Sequence, residues 1–328
     1  MGNKVAIIGT GNVGMSYAYA LLNQQTQVNE LVLIDVNKDA ARGEALDLKD
    51  ALAYSHSSMK ISDGEYSDCA DADLVCICAG ARQAPGETRL DLTRKNATIF
   101  EDIVTQVVAS NFDGIFLVVS NPLDVMTYLT WHYSRFPLHR VIGSGTTLDT
   151  ARLRYNVGNI LDVDPKDVQA HVIGEHGDSG FIPWSRARLS IQNLNDILTD
   201  EQKHDVSERV RNAAYTIIGK KGSTHYGIGG ALARITRAIF SDENTTLPVS
   251  NYDPKSHIFY GSPAVIGREG VKRRLDFDLD ENEQAQLDHS IKIISDAIDS
   301  VITDQPSHPD TSQSDQPPAE HHDDQPHH

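Results

Sequence analysis

Residues 5–14 read VAIIGTGNVG, and this stretch decides the fold. Its first four residues are apolar and predict a buried parallel strand. Gly9, Gly11 and Gly14 then form a G-x-G-x-x-G pattern that opens a helix reaching about Leu22. A second apolar strand, LVLI at 31–34, ends on Asp35. Strand, glycine turn, helix, second strand and acid together make the dinucleotide-binding fingerprint in its full context.

The fingerprint predicts how a dinucleotide is held. Backbone N–H groups of the glycine turn approach the pyrophosphate at the helix N-terminus. Asp35 accepts hydrogen bonds from the adenosine ribose hydroxyls, and its charge repels a 2′-phosphate, so NAD is favoured over NADP. We assign cofactor binding here to Gly9, Gly11, Asn12, Val13, Gly14 and Asp35.

Composition excludes several classes of protein. The 328 residues contain no apolar run of the roughly 18 residues that a membrane span needs. A net charge of −17 argues against a nucleic-acid partner, which requires a basic face. Three cysteines, Cys69, Cys76 and Cys78, read as reduced core residues of a cytoplasmic protein. Since neither His171 nor the Glu175-His176 pair has the spacing of zinc ligands, we expect no metal site.

Residues 1–145 alternate short apolar strands with amphipathic helices. The strands are expected at 4–8, 31–35, 73–79, 115–120 and 140–143, and the helices near 12–24, 38–54, 93–109 and 122–134. This pattern predicts an α/β fold, a doubly wound parallel sheet of Rossmann type covered by helices on both faces. Residues 1–145 are therefore expected to form an NAD-binding domain.

A second, mixed α+β domain is expected over residues 146–303. Helices are predicted at 147–159, 199–220, 226–239 and 281–303, and strands at 168–173, 245–250, 256–260 and 262–266. Residues 304–328 hold six acids and five histidines but no Lys, Arg or large apolar residue. Such a segment buries too little surface to offset its ordering entropy, so a disordered tail is expected.

Candidate catalytic residues follow the predicted strands, where ligands bind on such sheets. A glycine-edged loop from Gly80 to Arg89 is a candidate lid, and Asn121 belongs either to the site or to a plain Asn-Pro turn. Asp149 and Arg152 share one helix face. They form either an ordinary ion pair, or a set in which Asp149 orients a histidine and Arg152 binds a carboxylate. His176 lies between glycines just past a strand.

The segments GSGTTLDTAR at 143–152 and GEHGDS at 174–179 resemble signatures of the L-lactate dehydrogenases, within the lactate and malate dehydrogenase superfamily. The resemblance covers residues 3 to about 303. It implies that His176 is the acid/base acting between pyruvate and L-lactate, with Asp149 orienting its imidazole. It also implies that Arg152 grips the substrate carboxylate and that Arg89 closes over the site and polarises the carbonyl.

The resemblance also assigns the pocket. Asn121 and Thr224 match substrate-pocket residues, Ile228 an apolar wall behind the nicotinamide, and Gly80 and Ala81 lie with Asn121 on the cofactor side. Gln83 stands where malate dehydrogenases carry an arginine for a second carboxylate, so pyruvate is preferred to oxaloacetate.

Two rival activities stay open at this point. A malate dehydrogenase is disfavoured by Gln83. The segment between Trp184 and the helix at 199 is shorter than usual, which leaves an L-2-hydroxyisocaproate dehydrogenase as an alternative. A relative that binds NAD without catalysis would be expected to lack His176, Arg152 or Arg89, and all three are present.

The resemblance further implies a bacterial, cytoplasmic enzyme of glycolysis and pyruvate fermentation that assembles as a homotetramer or dimer. The helix at 38–54 carries small and apolar residues that suit either a subunit interface or packing on the sheet. Arg154 matches the arginine that binds fructose 1,6-bisphosphate in bacterial members, but Gln169 replaces the expected histidine. Activation by that sugar phosphate is therefore left open.

Overall fold

The structure is a computed structural model that describes residues 2–81, 86 and 88–302. Its first part holds the strands β1 (Asn3–Ile8), β2 (Val28–Ile34), β3 (Lys60–Asp63), β4 (Leu74–Ile77), β5 (Ile115–Val118) and β6 (Val141–Gly143). Between them lie the helices α1 (Asn12–Asn23), α2 (Lys38–Ala51), α3 (Arg89–Ala109) and α4 (Leu123–Ser134). Strand and helix alternate as the sequence predicts.

The second part mixes helices with short and long strands. The helices are α5 (Thr147–Leu161), α6 (Leu194–Ile197), α7 (Asp200–Lys221), α8 (Tyr226–Phe240) and α9 (Glu281–Ile302). The strands are β7 (Val168–Gln169), β8 (Arg188–Leu189), β9 (Gln192–Asn193), β10 (Thr245–Asp253), β11 (Ile258–Gly267) and β12 (Gly270–Arg274).

The described strands form a nine-stranded sheet in the order β12-β11-β10-β6-β5-β4-β1-β2-β3. From β6 to β3 all neighbours are parallel. The chain runs outward from β1 through β2 to β3 on one side, and from β4 through β5 to β6 on the other. The strand order therefore reverses between β1 and β4, and such switch points hold the ligand in doubly wound sheets.

The long strands of the second part differ from the sequence expectation in one respect and add to it in another. The strands predicted at 256–260 and 262–266 are one strand, β11, which pairs along its length with β10. In addition, Ser250 on β10 pairs with Gly143 on β6. These strands therefore extend the parallel sheet as an antiparallel edge, and they do not belong to a sheet of the second part alone.

Side chains alternate across the sheet and fill a core on each face. On β1, Val5 and Ile7 enter one core with α1 and α8, whereas Ala6 and Ile8 enter the other with α3, α4 and α9. This is the double coverage expected of a parallel sheet. A third, smaller core gathers Leu153 and Val157 of α5 with Val206 and Val210 of α7. This third core and the small β7-β8-β9 sheet belong to the second part alone.

Further differences from the sequence expectations concern short elements. The strand expected over 168–173 is confined to Val168–Gln169, and five elements were not predicted: β3, β8, β9, β12 and α6. The tail at 304–328 lies outside the described residues. Within the described ranges, no helix is long and apolar enough to cross a membrane.

Candidate active site

The glycine turn after β1 has the shape that the fingerprint requires. Gly9 has φ +100°, a left-handed conformation that favours glycine, and an added Cβ would lie 2.6 Å from the backbone nitrogen of Ala79. An added Cβ at Gly14 would lie 2.0 Å from the carbonyl oxygen of Gly9. These two glycines therefore allow the turn itself and the close approach of α1 to β1.

Gly11 serves a different purpose, because a Cβ there would meet none of the described residues within 4 Å. Gly11 is the N-cap of α1 and makes no side-chain cap hydrogen bond within the described part of the chain. The first N–H groups of α1, from Asn12 onward, are thus presented to an open cradle that suits a pyrophosphate. The residues present fit a dinucleotide at this point.

Asp35 is fixed at the end of β2 beside the same turn. Its Oδ2 accepts hydrogen bonds from the backbone N–H of Thr10 at 2.7 Å and from the Thr10 hydroxyl at 3.1 Å. Its Oδ1 accepts from the backbone N–H of Asn37 at 2.9 Å. The carboxylate is held where it can receive ribose hydroxyls, and Thr10 is a contributor that the sequence analysis missed.

The proposed catalytic pair is in contact. Nδ1 of His176 lies 2.6 Å from Oδ2 of Asp149, which brings a loop after β7 against the first turn of α5. Burial alone would lower the pKa of His176, but the charge and hydrogen bond of Asp149 outweigh it and raise that pKa above its usual value. Because Nδ1 faces Asp149, Nε2 is the nitrogen left to exchange a proton.

Asp149 makes both of the contacts that the sequence offered as alternatives, the ion pair with Arg152 and the contact with a histidine. Its Oδ1 accepts a hydrogen bond from Arg152 at 2.8 Å while its Oδ2 faces His176. Burial acts to raise the pKa of Asp149, yet the neighbouring charges of His176 and Arg152 hold it below its usual range. The carboxylate is therefore ionised and shared between an arginine and a histidine.

A cavity of about 1060 Å³ joins these groups. Its wall includes Asn121, Asp149, Arg152 and His176, so the structure brings four of the expected site residues to one space. The remaining walls come from α3, α4, α6, α7 and α9 and from the segment 172–184. An arginine and a histidine on the wall of one cavity suit a ligand that carries both an anionic group and a group to be protonated.

Polar residues that the sequence analysis did not select support this wall. Asn96 of α3 accepts a hydrogen bond from the backbone N–H of Ala81 at 2.7 Å and donates one to the carbonyl of Asn121 at 2.8 Å. Asp124 accepts from the backbone N–H of His176 at 2.8 Å. In the sequence, Asn96 and Asp124 stand out only as polar residues on predicted helices, and such residues are too common to indicate a site.

Other expected site residues are placed less directly. Ile228 of α8 is buried in the core that Val13 of α1 also contacts. Thr224 lies in the half-buried loop before α8 and is not among the residues that line the cavity. Gln83 and the side chain of Arg89 lie outside the described residues. Over the described ranges, no group of three or more His, Cys, Asp or Glu is arranged to hold a metal.

Comparison with known families gives matches to both parts of the chain. The family model described as the NAD binding domain of lactate/malate dehydrogenase matches residues 3–143. The model of the alpha/beta C-terminal domain of lactate/malate dehydrogenase matches residues 146–305. Together the two matches span nearly the whole chain up to the acidic tail.

Curated relatives match over almost their full length. L-lactate dehydrogenase 2 of Bacillus cereus (strain ATCC 10987 / NRS 248) is 48% identical over 310 residues, covering 92% of this chain and 98% of the relative. The L-lactate dehydrogenase of Halalkalibacterium halodurans is 48% identical over 299 residues, covering 90% of this chain and 96% of the relative.

Solved structures show the same similarity. A lactate dehydrogenase from a Medee basin deep-sea metagenome library superposes with a TM-score of 0.90 at 45% identity, covering 92% of this chain and 99% of that one. The minor L-lactate dehydrogenase of Enterococcus mundtii, in its ligands-bound form, gives a TM-score of 0.89 at 44% identity, covering 92% of this chain and 98% of that one.

Proposed function

The chain belongs to the lactate/malate dehydrogenase family, and we propose that it reduces pyruvate to L-lactate with His176 as the proton donor. It is an NAD-dependent L-2-hydroxy acid dehydrogenase, and its activity is that of an L-lactate dehydrogenase. One observation carries the role of His176: its Nδ1 lies 2.6 Å from Asp149 on the wall of the cavity that also holds Arg152.

In this proposal His176 moves the proton. Protonated His176 donates a hydrogen bond from Nε2 to the keto oxygen of pyruvate and gives up that proton as the alcohol forms. Asp149 keeps Nδ1 protonated and stabilises the imidazolium before transfer. In the reverse direction Nε2 accepts the hydroxyl proton of L-lactate. The raised pKa of His176 keeps the imidazole protonated closer to neutral pH, which suits a donor.

Arg152 positions the substrate. Its guanidinium matches a carboxylate with two parallel hydrogen bonds, and its ion pair with Asp149 fixes its direction. Arg89, at the first position of α3, is proposed to close over the site and polarise the carbonyl. Asn121 and Thr224 are proposed as further contacts to the substrate.

NAD is the cofactor, and NADH supplies the hydride when it is bound. We assign its pyrophosphate to the N–H groups of Gly11, Asn12, Val13 and Gly14, and its adenosine ribose to Asp35. Gly80, Ala81 and Ile228 are assigned to the nicotinamide end. These assignments are supported by the open cradle at Gly11 and by the fixed carboxylate of Asp35.

Gln83 decides the preferred acid in this proposal. A neutral amide leaves the second carboxylate of oxaloacetate unpaired in a closed site, and an unpaired buried charge is costly. Pyruvate is therefore preferred to oxaloacetate. The bulkier 2-oxoisocaproate is the second candidate, because the segment after Trp184 that flanks the pocket is short.

The test is NADH oxidation with pyruvate, oxaloacetate and 2-oxoisocaproate measured in parallel. We expect kcat/KM for pyruvate to exceed that for oxaloacetate about a hundredfold, roughly 3 kcal/mol of discrimination. Gln83→Arg should raise the oxaloacetate value and lower the pyruvate value. A preference of the unaltered enzyme for oxaloacetate or 2-oxoisocaproate would refute the proposed substrate and leave the family assignment intact.

We further propose a cytoplasmic homodimer or homotetramer. On α2, Ala41, Ala45 and Leu48 are buried within the subunit, so helix-on-sheet packing accounts for them. Leu46 points outward at 54% exposure, and Tyr54 just beyond α2 is 96% exposed. Light scattering of the purified protein checks the assembly, and Leu46→Glu should shift it toward monomer. A monomeric unaltered protein contradicts this proposal.

A further inference from the structure

The loop that carries His176 is held by three different parts of the molecule. Its successive N–H groups each donate to a separate element. Gly174 donates to the carbonyl of Gly261 on β11 at 2.9 Å, and Glu175 donates to the Ser290 hydroxyl on α9 at 2.8 Å. The N–H of His176 donates to Oδ2 of Asp124 on α4 at 2.8 Å. Only the last of these acceptors is ionisable.

Asp124 is itself held in place. Its side chain is buried, with 2% of the residue exposed, and its Oδ1 accepts a hydrogen bond from the Ser250 hydroxyl at 2.5 Å. Ser250 lies on β10 at the point where that strand pairs with β6. The carboxylate is thus clamped between the sheet and the main chain of the proposed proton donor.

A buried carboxylate is a costly choice for holding one N–H group, since a neutral acceptor would do the same without burying a charge. Ser290 does so one residue earlier, at Glu175. What a carboxylate adds is negative charge close to His176, which favours the protonated imidazole.

We propose that Asp124 is a positioning residue for proton transfer, which fixes the main chain of His176 and supplies a second negative charge in support of its imidazolium. The inference rests on the proposed role of His176 as proton donor. Asp149 acts on the ring of His176, whereas Asp124 acts on its backbone N–H group. Asp124 belongs to the nucleotide half of the chain, so it also ties that half to the catalytic loop.

Asp124 is expected to change its charge within the pH range in which the enzyme can be assayed. Burial raises the pKa of Asp124 to about 6, against the lowering effect of the hydrogen bonds from Ser250 and His176. Among the charged groups that face it, His176 lowers this pKa and Glu175 raises it. On α5, Asp149 contacts the His176 ring, and Arg152 in turn pairs with Asp149. Below pH 6 Asp124 becomes neutral and its support of the imidazolium is lost.

The experiment compares Asp124→Asn with the unaltered full-length chain across pH, at saturating NADH. The amide keeps an acceptor for the His176 N–H but carries no charge. We expect kcat/KM for pyruvate to fall about tenfold at about pH 7.5. At about pH 5 the unaltered enzyme has lost the same charge, so the two rates should agree to within about twofold. NADH affinity should not change.

Two further variants separate positioning from folding. Ser290→Ala removes the neutral anchor of Glu175 and serves as the matched control, since its activity relative to the unaltered chain should not vary with pH. Ser250→Ala removes the hydroxyl that holds Asp124 and should lower activity in the same pH-dependent way, by a few fold. If Asp124→Asn does not fold, Ser250→Ala is the variant that tests the proposal.

The proposal is overturned if Asp124→Asn keeps kcat/KM to within twofold at about pH 7.5, or if its deficit is the same at every pH. NMR titration of the His176 imidazole, assigned with His176→Gln, gives an activity-independent readout. The pKa of His176 should be lower in Asp124→Asn than in the unaltered protein, and an unchanged pKa also overturns the proposal. If the unaltered chain reduces no 2-oxo acid, the proposed function fails, whereas the titration still decides the effect of Asp124.

Discussion

The glycine turn and the proton-transfer site are built in opposite ways. The turn spans the consecutive residues 9–14, and the groups proposed to bind the cofactor are its backbone N–H groups, whose positions follow from where glycine is placed. The proton-transfer site joins side chains that are far apart along the chain, since His176 is 27 residues from Asp149 and 52 from Asp124. A contiguous backbone site is encoded locally, whereas an assembled side-chain site depends on the whole fold.

The comparison predicts that the two regions fail separately, and His176→Gln should give the largest effect. Without its acid, the enzyme should lose about 10³-fold in kcat/KM for pyruvate, which is the range of general acid catalysis. NADH affinity, measured by fluorescence titration, should stay within twofold because the cofactor cradle is made by other residues. A comparable loss of NADH affinity would mean that the two regions are not independent.

Arg152→Lys should give the next largest effect. Lysine keeps the charge but cannot make two parallel hydrogen bonds to a carboxylate, so KM for pyruvate should rise about 10- to 100-fold. Arg154→Lys is the matched control on the same helix, because Arg154 donates to the carbonyl of Ala170 and does not line the cavity. Steady-state kinetics without sugar phosphates measures both. Equal effects of the two variants would contradict the assigned role of Arg152.

The smallest effects should come from two glycine variants that sharpen the account of the turn. Gly14→Ala forces a Cβ against the carbonyl of Gly9 and should lower the free energy of unfolding by about 1–3 kcal/mol. It should also weaken NADH binding. Gly11→Ala has free space and should weaken NADH binding with a far smaller change in Tm. Calorimetry and fluorescence titration give the two quantities. If Gly11→Ala binds NADH normally, the pyrophosphate does not lie in the cradle.

The contrast between a local turn and an assembled site also explains which parts of the site the sequence could predict. The glycine turn and Asp35 were assigned to the cofactor from the residues alone, because spacing and strand context are local properties. The roles of His176, Asp149 and Arg152 came from resemblance to a family, since spacing left an ordinary ion pair of Asp149 and Arg152 as an alternative. Asp124 gave no signal, because an acid in the first turn of a helix is common.

The fold was predictable where strands are buried and apolar. The edge strand β3, KISD, was missed because it is short and only partly buried. β11 was divided into two predicted strands because Gly261 and Pro263 resemble a break. In the structure Pro263 lies opposite Pro248, so the two missing N–H groups coincide at one level of the ladder. Only tertiary pairing makes that arrangement acceptable.

In the proposed mechanism, the shared carboxylate of Asp149 links anion binding thermodynamically to proton uptake. There, a substrate carboxylate on Arg152 competes with Asp149 for the guanidinium, which leaves more of the negative charge of Asp149 to the imidazole. The proton affinity of His176 then rises as the acceptor arrives, and protonation of His176 tightens anion binding by the same factor. The pKa of His176 is thus expected to be lower in the enzyme without substrate than in the enzyme with a carboxylate bound to Arg152.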